Sequence, residues 1–289
     1  MIGALAAIAL LGQPIEGRPS VAEIMASAPD EAWFTPDPED TIYLELPQGR
    51  VVIVLVPELS PRHAAQLRTL AREGYYEGLS FYRVPIGFVA QGGDETGERD
   101  KGTAADSLPA EFEAPLPATL AFTPLGMDDP YAPEAGFVRS LPAARDPDTG
   151  TAWLAHCTGA FAFGREEARD TASTEFYVAL QPQRYLDRNL TVLGRVVWGM
   201  EHIQAVTRNA PGEFGQMADL DRATPILAMR VAADVPRVRR TDIEIMDSTS
   251  DVFRQLTLAR AARPSGFFYH RPNHVDLCQM PVPVRRADG

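Results

Sequence analysis

The run Phe81-Tyr82-Arg83-Val84-Pro85-Ile86-Gly87-Phe88-Val89-Ala90-Gln91-Gly92-Gly93-Asp94 reads as two short strands, the first fed by a turn and the second ended by glycines. Upstream, Ser60-Pro61 opens a predicted helix. Ser60 is expected to cap the first free amides, and Pro61 sits where its missing N–H costs nothing. Ala64, Leu67, Leu70 and Ala71 follow at helical spacing until Gly74. Before that, the β-branched and apolar runs at residues 41–46 and 51–56 flank Pro47-Gln48-Gly49-Arg50, which predicts a hairpin. Downstream, the pattern predicts strands at residues 159–164, 174–180 and 192–197, a helix at 200–207 and a closing strand at 226–231. One helix inside a run of strands suggests a barrel or sandwich with helical plugs. Residues 95–158 are rich in Pro, Asp and Gly and read as loop, interrupted at 108–112 and 119–122. Past Pro236 the chain turns arginine-richer, with a helix expected at 251–261.

The chain has 289 residues, 45% hydrophobic and 23% charged, so a packed core can form without special staples. A formal charge of −12 argues against nucleic-acid binding, which needs clustered cations to neutralise phosphates. Lys101 is the only lysine; a lysine-poor, alanine-rich chain points to compositional bias rather than to arginines kept as anion clamps.

Residues 2–11 are continuously apolar but too short to span a bilayer, which suits the core of a secretory signal. No Lys or Arg precedes the run and no clean small-x-small cleavage site follows it; Ala26-Ser27-Ala28 has the right shape but lies late and before Pro29. The expectation is a periplasmic or secreted protein without a stable membrane span; the alternative is a cytoplasmic one with a mis-assigned start or a small docking helix. The chain divides into a leader and lead-in segment at 1–40, with an amphipathic patch at 21–28, a domain at 41–236 and an extension at 237–289. Cys157 and Cys278 could pair in an oxidising compartment and tie the extension to the domain, or stay as two buried thiols.

Five local motifs resemble the cyclophilins. Phe81-Tyr82-Arg83-Val84 resembles the family's F-H-R-V strand, and residues 87–94 match its G-F-x-x-Q-G-G-D at every fixed position. Residues 159–165 resemble G-T-L-A-M-A-R, and Ser173-Thr174-Glu175-Phe176-Tyr177-Val178 stands in for G-S-Q-F-F-I at the matching distance. Residues 185–196, beginning Tyr185-Leu186-Asp187, are similar to W-L-D-G-K-H-T-V-F-G-x-V. Both ends and an insertion at residues 113–158 lie outside the resemblance.

The resemblance implies a mostly β fold: a closed eight-stranded antiparallel barrel capped by two helices, with a substrate groove on its outer wall. It implies a peptidyl-prolyl cis/trans isomerase that acts on proline-containing peptides and unfolded client proteins and needs no cofactor and no metal; the sequence leaves the oligomeric state open, with a monomer favoured. The barrier to rotation about a peptide bond is about 18–20 kcal/mol because resonance gives the C–N link double-bond character. A catalyst must bind the twisted state better than the planar one. Arg83 carries a permanent, planar charge suited to that task; a lone arginine on a barrel surface is more often part of an ion pair, and the Gln91 motif at the expected distance turns the reading toward catalysis. Gln91 is expected to orient Arg83 and to bind substrate backbone, and Phe88, Val89, Tyr177 and Leu186 to grip the proline ring.

Several positions depart from the family. Glu175 replaces a groove glutamine, Tyr185 a frequent Trp, and Leu190 a His or Tyr bordering the pocket, while Gly164 and Arg165 align with groove positions that vary. These changes imply a weaker or differently selective isomerase, or a non-catalytic binding module with a decayed groove. A third possibility is a hydrolase using His156 and Cys157, although neighbours in a strand point apart.

Overall fold

The computed structural model describes residues 18–287, so the apolar run at 2–11 lies outside the described residues. The helices are α1 (Val21–Ala26), α2 (Pro61–Arg72), α3 (Met200–Gln204) and α4 (Asp251–Ala262). The strands are β1 (Trp33–Phe34), β2 (Thr41–Leu46), β3 (Gly49–Leu55), β4 (Ser80–Arg83), β5 (Val89–Gly93), β6 (Ala114–Pro115), β7 (Phe122–Pro124), β8 (Glu134–Val138) and β9 (Leu141–Asp146). They continue as β10 (Thr151–Leu154), β11 (Ala160–Phe163), β12 (Phe176–Ala179), β13 (Val192–Trp198), β14 (Thr224–Pro225), β15 (Ala228–Val231), β16 (Ile243–Met246) and β17 (Val284–Arg286).

The central sheet is antiparallel and curled, with nine strands in the order β14-β4-β5-β12-β11-β13-β3-β2-β15. It counts nine strands where eight were expected, because its two edge strands pair with different neighbours: Thr224 with Phe81, and Ala228 with Glu45. Ile226 and Leu227 lie between them. The Ile226 N–H donates to the Leu79 carbonyl at 2.7 Å, and the Leu227 N–H to the Glu45 carbonyl at 2.9 Å.

Alternation along the strands sorts side chains to two faces. Phe161, Phe163, Phe176 and Val178 join Ile42, Leu44, Ile53 and Leu55 in one core with Leu67 and Leu70 of α2 and Ile203 of α3. The Phe176 ring is packed by Tyr76, Phe81 and Phe161 at centroid distances of 5.3, 5.6 and 5.2 Å. Emptying such a site costs about 3–5 kcal/mol, so this aromatic cluster contributes strongly to stability. Residues of the other face, Val89, Ala160, Ala162, Tyr177 and Ala179, pack against Val138, Leu141, Ala143 and Leu154 of the insertion.

Helix α2 ends as its sequence predicts. Gly74, at φ +69°, donates to the Ala71 carbonyl and Tyr75 to the Leu70 carbonyl, the paired bonds of a Schellman motif. Its start differs. The Ser60 hydroxyl makes no capping bond and is buried without a partner. The Glu111 carboxylate takes that role, accepting the Arg62 and His63 amides at 3.1 Å each.

The long segment expected as loop contains a second antiparallel sheet, ordered β6-β10-β9-β8-β7. Its strands are short and alanine-rich, and the turn between β8 and β9 lacks the usual Gly signal. Val138 pairs with Leu141 across Arg139-Ser140, both at positive φ (47° and 65°), a conformation that usually selects Asn-Gly. Distant partners hold it: Arg139 pairs with Asp40 at 3.1 Å and with Glu58, and the Ser140 hydroxyl accepts the Ser248 amide at 2.8 Å.

The lead-in and the extension meet on this insertion. β16 pairs with β1 on one side and β17 on the other, while Ser250 caps α4 by accepting the Phe253 amide at 3.1 Å. Ile24, Phe137, Cys157, Phe253 and Leu277 share one buried cluster, and Cys157 and Cys278 form a disulfide within it. Among the described residues, no helix is long and apolar enough to cross a membrane.

Candidate active site

Strands β4, β5 and β12 lie side by side, with Arg83 opposite Gln91 and Gln91 opposite Tyr177. Arg83 Nη1 donates to Gln91 Oε1 at 2.9 Å, and Nε donates to the Phe214 carbonyl at 2.8 Å. The Phe88 ring lies 5.5 Å from Arg83 Cζ, within cation–π range. The guanidinium is thus held at two nitrogens, while Nη2 makes no hydrogen bond among the described residues.

Beside it opens a cavity of about 540 Å³. Phe88, Val89, Tyr177, Leu186 and Leu190 supply apolar wall, and Arg83, Gln91, Gly164, Arg165 and Glu175 supply polar groups. Tyr185, expected at the groove, does not line it. In the 3₁₀ turn Arg184–Leu186, successive side chains point about 120° apart, so with Arg184 buried and Leu186 on the cavity, Tyr185 is 60% exposed. Tyr82, Asp94 and Lys101 line the cavity without having been singled out from sequence. Simple alternation would turn Tyr82 away from Arg83, but the β4–β5 register shifts between Ser80 and Arg83, and such a bulge re-aims side chains.

A sequence model of the family described as "Cyclophilin type peptidyl-prolyl cis-trans isomerase/CLD" matches residues 41–231. The chain belongs to the cyclophilin family. It is 31% identical over 201 residues to a "Probable peptidyl-prolyl cis-trans isomerase" of Brucella suis biovar 1, covering 68% of this chain and 85% of that one. It is 29% identical over 182 residues to human "Peptidyl-prolyl cis-trans isomerase-like 1", covering 63% and 86% of the two chains. In fold it is similar to the crystal structure of cyclophilin AquaCyp293 from Hirschia baltica, with a TM-score of 0.72 at 24% identity, over 91% of this chain and 96% of that one.

Two polar chains surround this cyclophilin's cavity. In the first, Gln91 Nε2 donates to Tyr82 Oη at 2.6 Å, Tyr82 O–H donates to Glu175 Oε2 at 2.5 Å, and the Asp94 amide donates to Glu175 Oε1 at 2.8 Å. Both ends of the Gln91 amide are therefore engaged within the protein. Burial pushes the Glu175 carboxyl up to about 7, against the pull of those hydrogen bonds. Burial also raises the Tyr82 phenol, with the Glu175 charge adding to it. Gly93, at φ +147°, makes room: a Cβ there would stand 2.1 Å from Glu175 Oε1.

The second chain runs behind the apolar wall. Tyr177 Oη lies 2.9 Å from His156 Nε2, and His156 Nδ1 lies 2.9 Å from Asp187 Oδ1. Arg184 Nε donates to Asp187 Oδ2 at 2.6 Å, and its Nη1 and Nη2 donate to Asp129 at 2.8 and 3.0 Å. All five side chains are buried. Burial pushes Asp187 up, but His156 and Arg184 outweigh it and hold the carboxyl below its ordinary range. His156 is thus a wall support, and the Cys157 sulfur is bonded to Cys278, so the hydrolase alternative loses its nucleophile. Among the described residues, no group of three or more His, Cys, Asp or Glu could hold a metal ion.

Proposed function

We propose that this cyclophilin accelerates cis/trans isomerisation of X-Pro bonds in proline-containing peptides and folding client proteins, with Arg83 stabilising the twisted imide. The observation that carries this reading is a guanidinium anchored by Gln91 and the Phe214 carbonyl beside a recess walled by Phe88, Val89, Tyr177 and Leu186. Exchange before proline takes tens of seconds or longer unaided, slow enough to limit folding. On twisting, the proline nitrogen becomes pyramidal and recovers its lone pair. Nη2 of Arg83 is available to donate to it, in a position fixed before substrate arrives. A proline ring held in the recess gives the rest of the peptide a fixed point to rotate against. The step is differential binding and forms no covalent bond.

The same proposal treats β14 and β15 as one strand bent at Ile226 and Leu227, which would make the sheet a closed barrel of eight strands; the bonds from those residues to Leu79 and Glu45 support it. Residues 41–236 would be the catalytic unit, flanked by 1–40 and 237–289. The Cys157–Cys278 disulfide supports a working place in an oxidising compartment, the periplasm or outside the cell.

Glu175 and Leu190 on the cavity favour a second reading, a binding module without catalysis. A protease-coupled proline-peptide assay separates the two. Wild type should exceed the uncatalysed rate, and Arg83→Ala should lose on the order of 10²-fold in kcat/KM, the scale of removing one preorganised donor. A wild-type rate equal to the uncatalysed one, across varied residues before proline, would leave the binding module.

A further inference from the structure

Two of the departures from the cyclophilin motifs touch each other. Tyr82 stands where the F-H-R-V strand has His and Glu175 where G-S-Q-F-F-I has Gln, and across 93 residues of sequence Tyr82 O–H donates to Glu175 at 2.5 Å. We infer that Tyr82 and Glu175 form a positioning pair, which fixes the Gln91 amide in the orientation that presents its oxygen to Arg83. The inference rests on the catalytic role proposed for Arg83.

The bond directions follow from the chemistry of the two ends. A guanidinium only donates, so Gln91 must offer Oε1 to Arg83, and its Nε2 must then donate to Tyr82. Tyr82 accepts that bond, so its own proton goes to a further acceptor, Glu175 Oε2. The other Glu175 oxygen takes the Asp94 amide. An ionised carboxylate is an acceptor only and suits both contacts at once. A side-chain amide at 175 would not: its oxygen could satisfy either Tyr82 or the Asp94 amide, and its NH₂ would oppose the donor left over. A protonated carboxyl meets the same conflict, since its O–H competes to donate to Tyr82.

Charged and titratable groups around Glu175 are Tyr82 and Arg83 on β4, Asp94 at the end of β5, and Tyr75 and Tyr76 after α2. Burial raises all three tyrosines, so they stay neutral at ordinary pH. Burial also pushes Asp94 up, but the Arg99 amide and the Thr96 bonds outweigh it and keep it ionised. Glu175, at about 7, is the member of this group that changes charge near neutrality.

The test measures kcat and KM with a proline peptide across about pH 6–8 for wild type, Tyr82→Phe, Glu175→Gln and the double variant Tyr82→His with Glu175→Gln. Both single variants should lose about 10-fold in kcat with KM little changed, since small misplacements of a reacting group are costly. Wild-type kcat should rise through about pH 7 as Glu175 ionises. That step should vanish in the single variants, and the double variant should recover rate without it. Single variants with wild-type kcat and an unchanged pH profile would overturn the pair. Should wild type show no catalysis, the functional proposal fails first, and the pair is judged by NMR: the Gln91 side-chain NH₂ resonances should shift with pH through about 7 in wild type and not in Tyr82→Phe, and their staying fixed in wild type would overturn it.

Discussion

Glu111 holds His63 twice: its Oε2 accepts the His63 backbone amide at 3.1 Å and lies 2.7 Å from the ring Nδ1. The same carboxylate caps α2 through Arg62, and the ring packs edge-on against Phe163 at 5.8 Å, with Nε2 buried and unpartnered. One side chain therefore closes a helix end and engages one nitrogen of a core imidazole.

Glu111→Ala should lower stability by about 2–3 kcal/mol, combining a lost cap with an unsatisfied buried donor. Urea unfolding checks the value, and isomerase activity of the folded fraction should persist. Burial pushes the Glu111 carboxyl up, but the His63 and Arg62 bonds outweigh it and leave it below its ordinary 4.5. Its contribution is therefore complete above about 4.5 and is lost as pH falls through the lower folded value. An acid-unfolding profile in which Glu111→Gln matches wild type would contradict this assignment.

Replacing Cys157 and Cys278 by Ala together should cost about 5 kcal/mol on the chain-entropy scale for a long loop; the bridge spans 121 residues. Neither sulfur reaches the cavity, so the proline assay should keep its wild-type rate at temperatures where the variant is folded. Thiol titration of unreduced, denatured protein should find no free sulfhydryl; two per chain would refute the link.

Asp129→Ala strips Arg184 of one of two buried carboxylates, which should destabilise by about 3 kcal/mol. Arg184 shares its 3₁₀ turn with Leu186 of the recess, so KM for proline peptides should rise as well. Tyr177→Phe keeps the ring but leaves His156 Nε2 unpaired, at about 1–2 kcal/mol. The two variants act on one chain of bonds, so a double-mutant cycle should show non-additivity; strictly additive losses would mean the chain does not transmit.

Much of the site was legible because its members are close in sequence. Arg83, Phe88, Val89 and Gln91 lie within one β4–turn–β5 unit, where strand pairing alone brings Arg83 opposite Gln91. Tyr82 escaped notice because its orientation depends on a bulge, which alternation does not register. Tyr185 stands off the cavity because a 3₁₀ turn rotates its side chain away from that of Leu186, a rotation that the strand and helix periods do not register. The insertion sheet was hidden by a turn whose positive φ values are held by Asp40, Glu58 and Ser248 rather than by glycine.

What the amino-acid order determined by itself was periodic and local: the β2–β3 hairpin, the apolar face and Gly74 end of α2, and the alternation of Phe161 and Phe163 with Ala160 and Ala162. These follow from side-chain period and turn stereochemistry, which a few neighbouring residues settle. Tertiary structure decided which partner each polar group found: Glu111 rather than Ser60 at the helix start, Glu175 for Tyr82, and Asp129 for Arg184. Buried polar groups must be satisfied, and contacts spanning tens of residues are chosen only when the chain closes on itself.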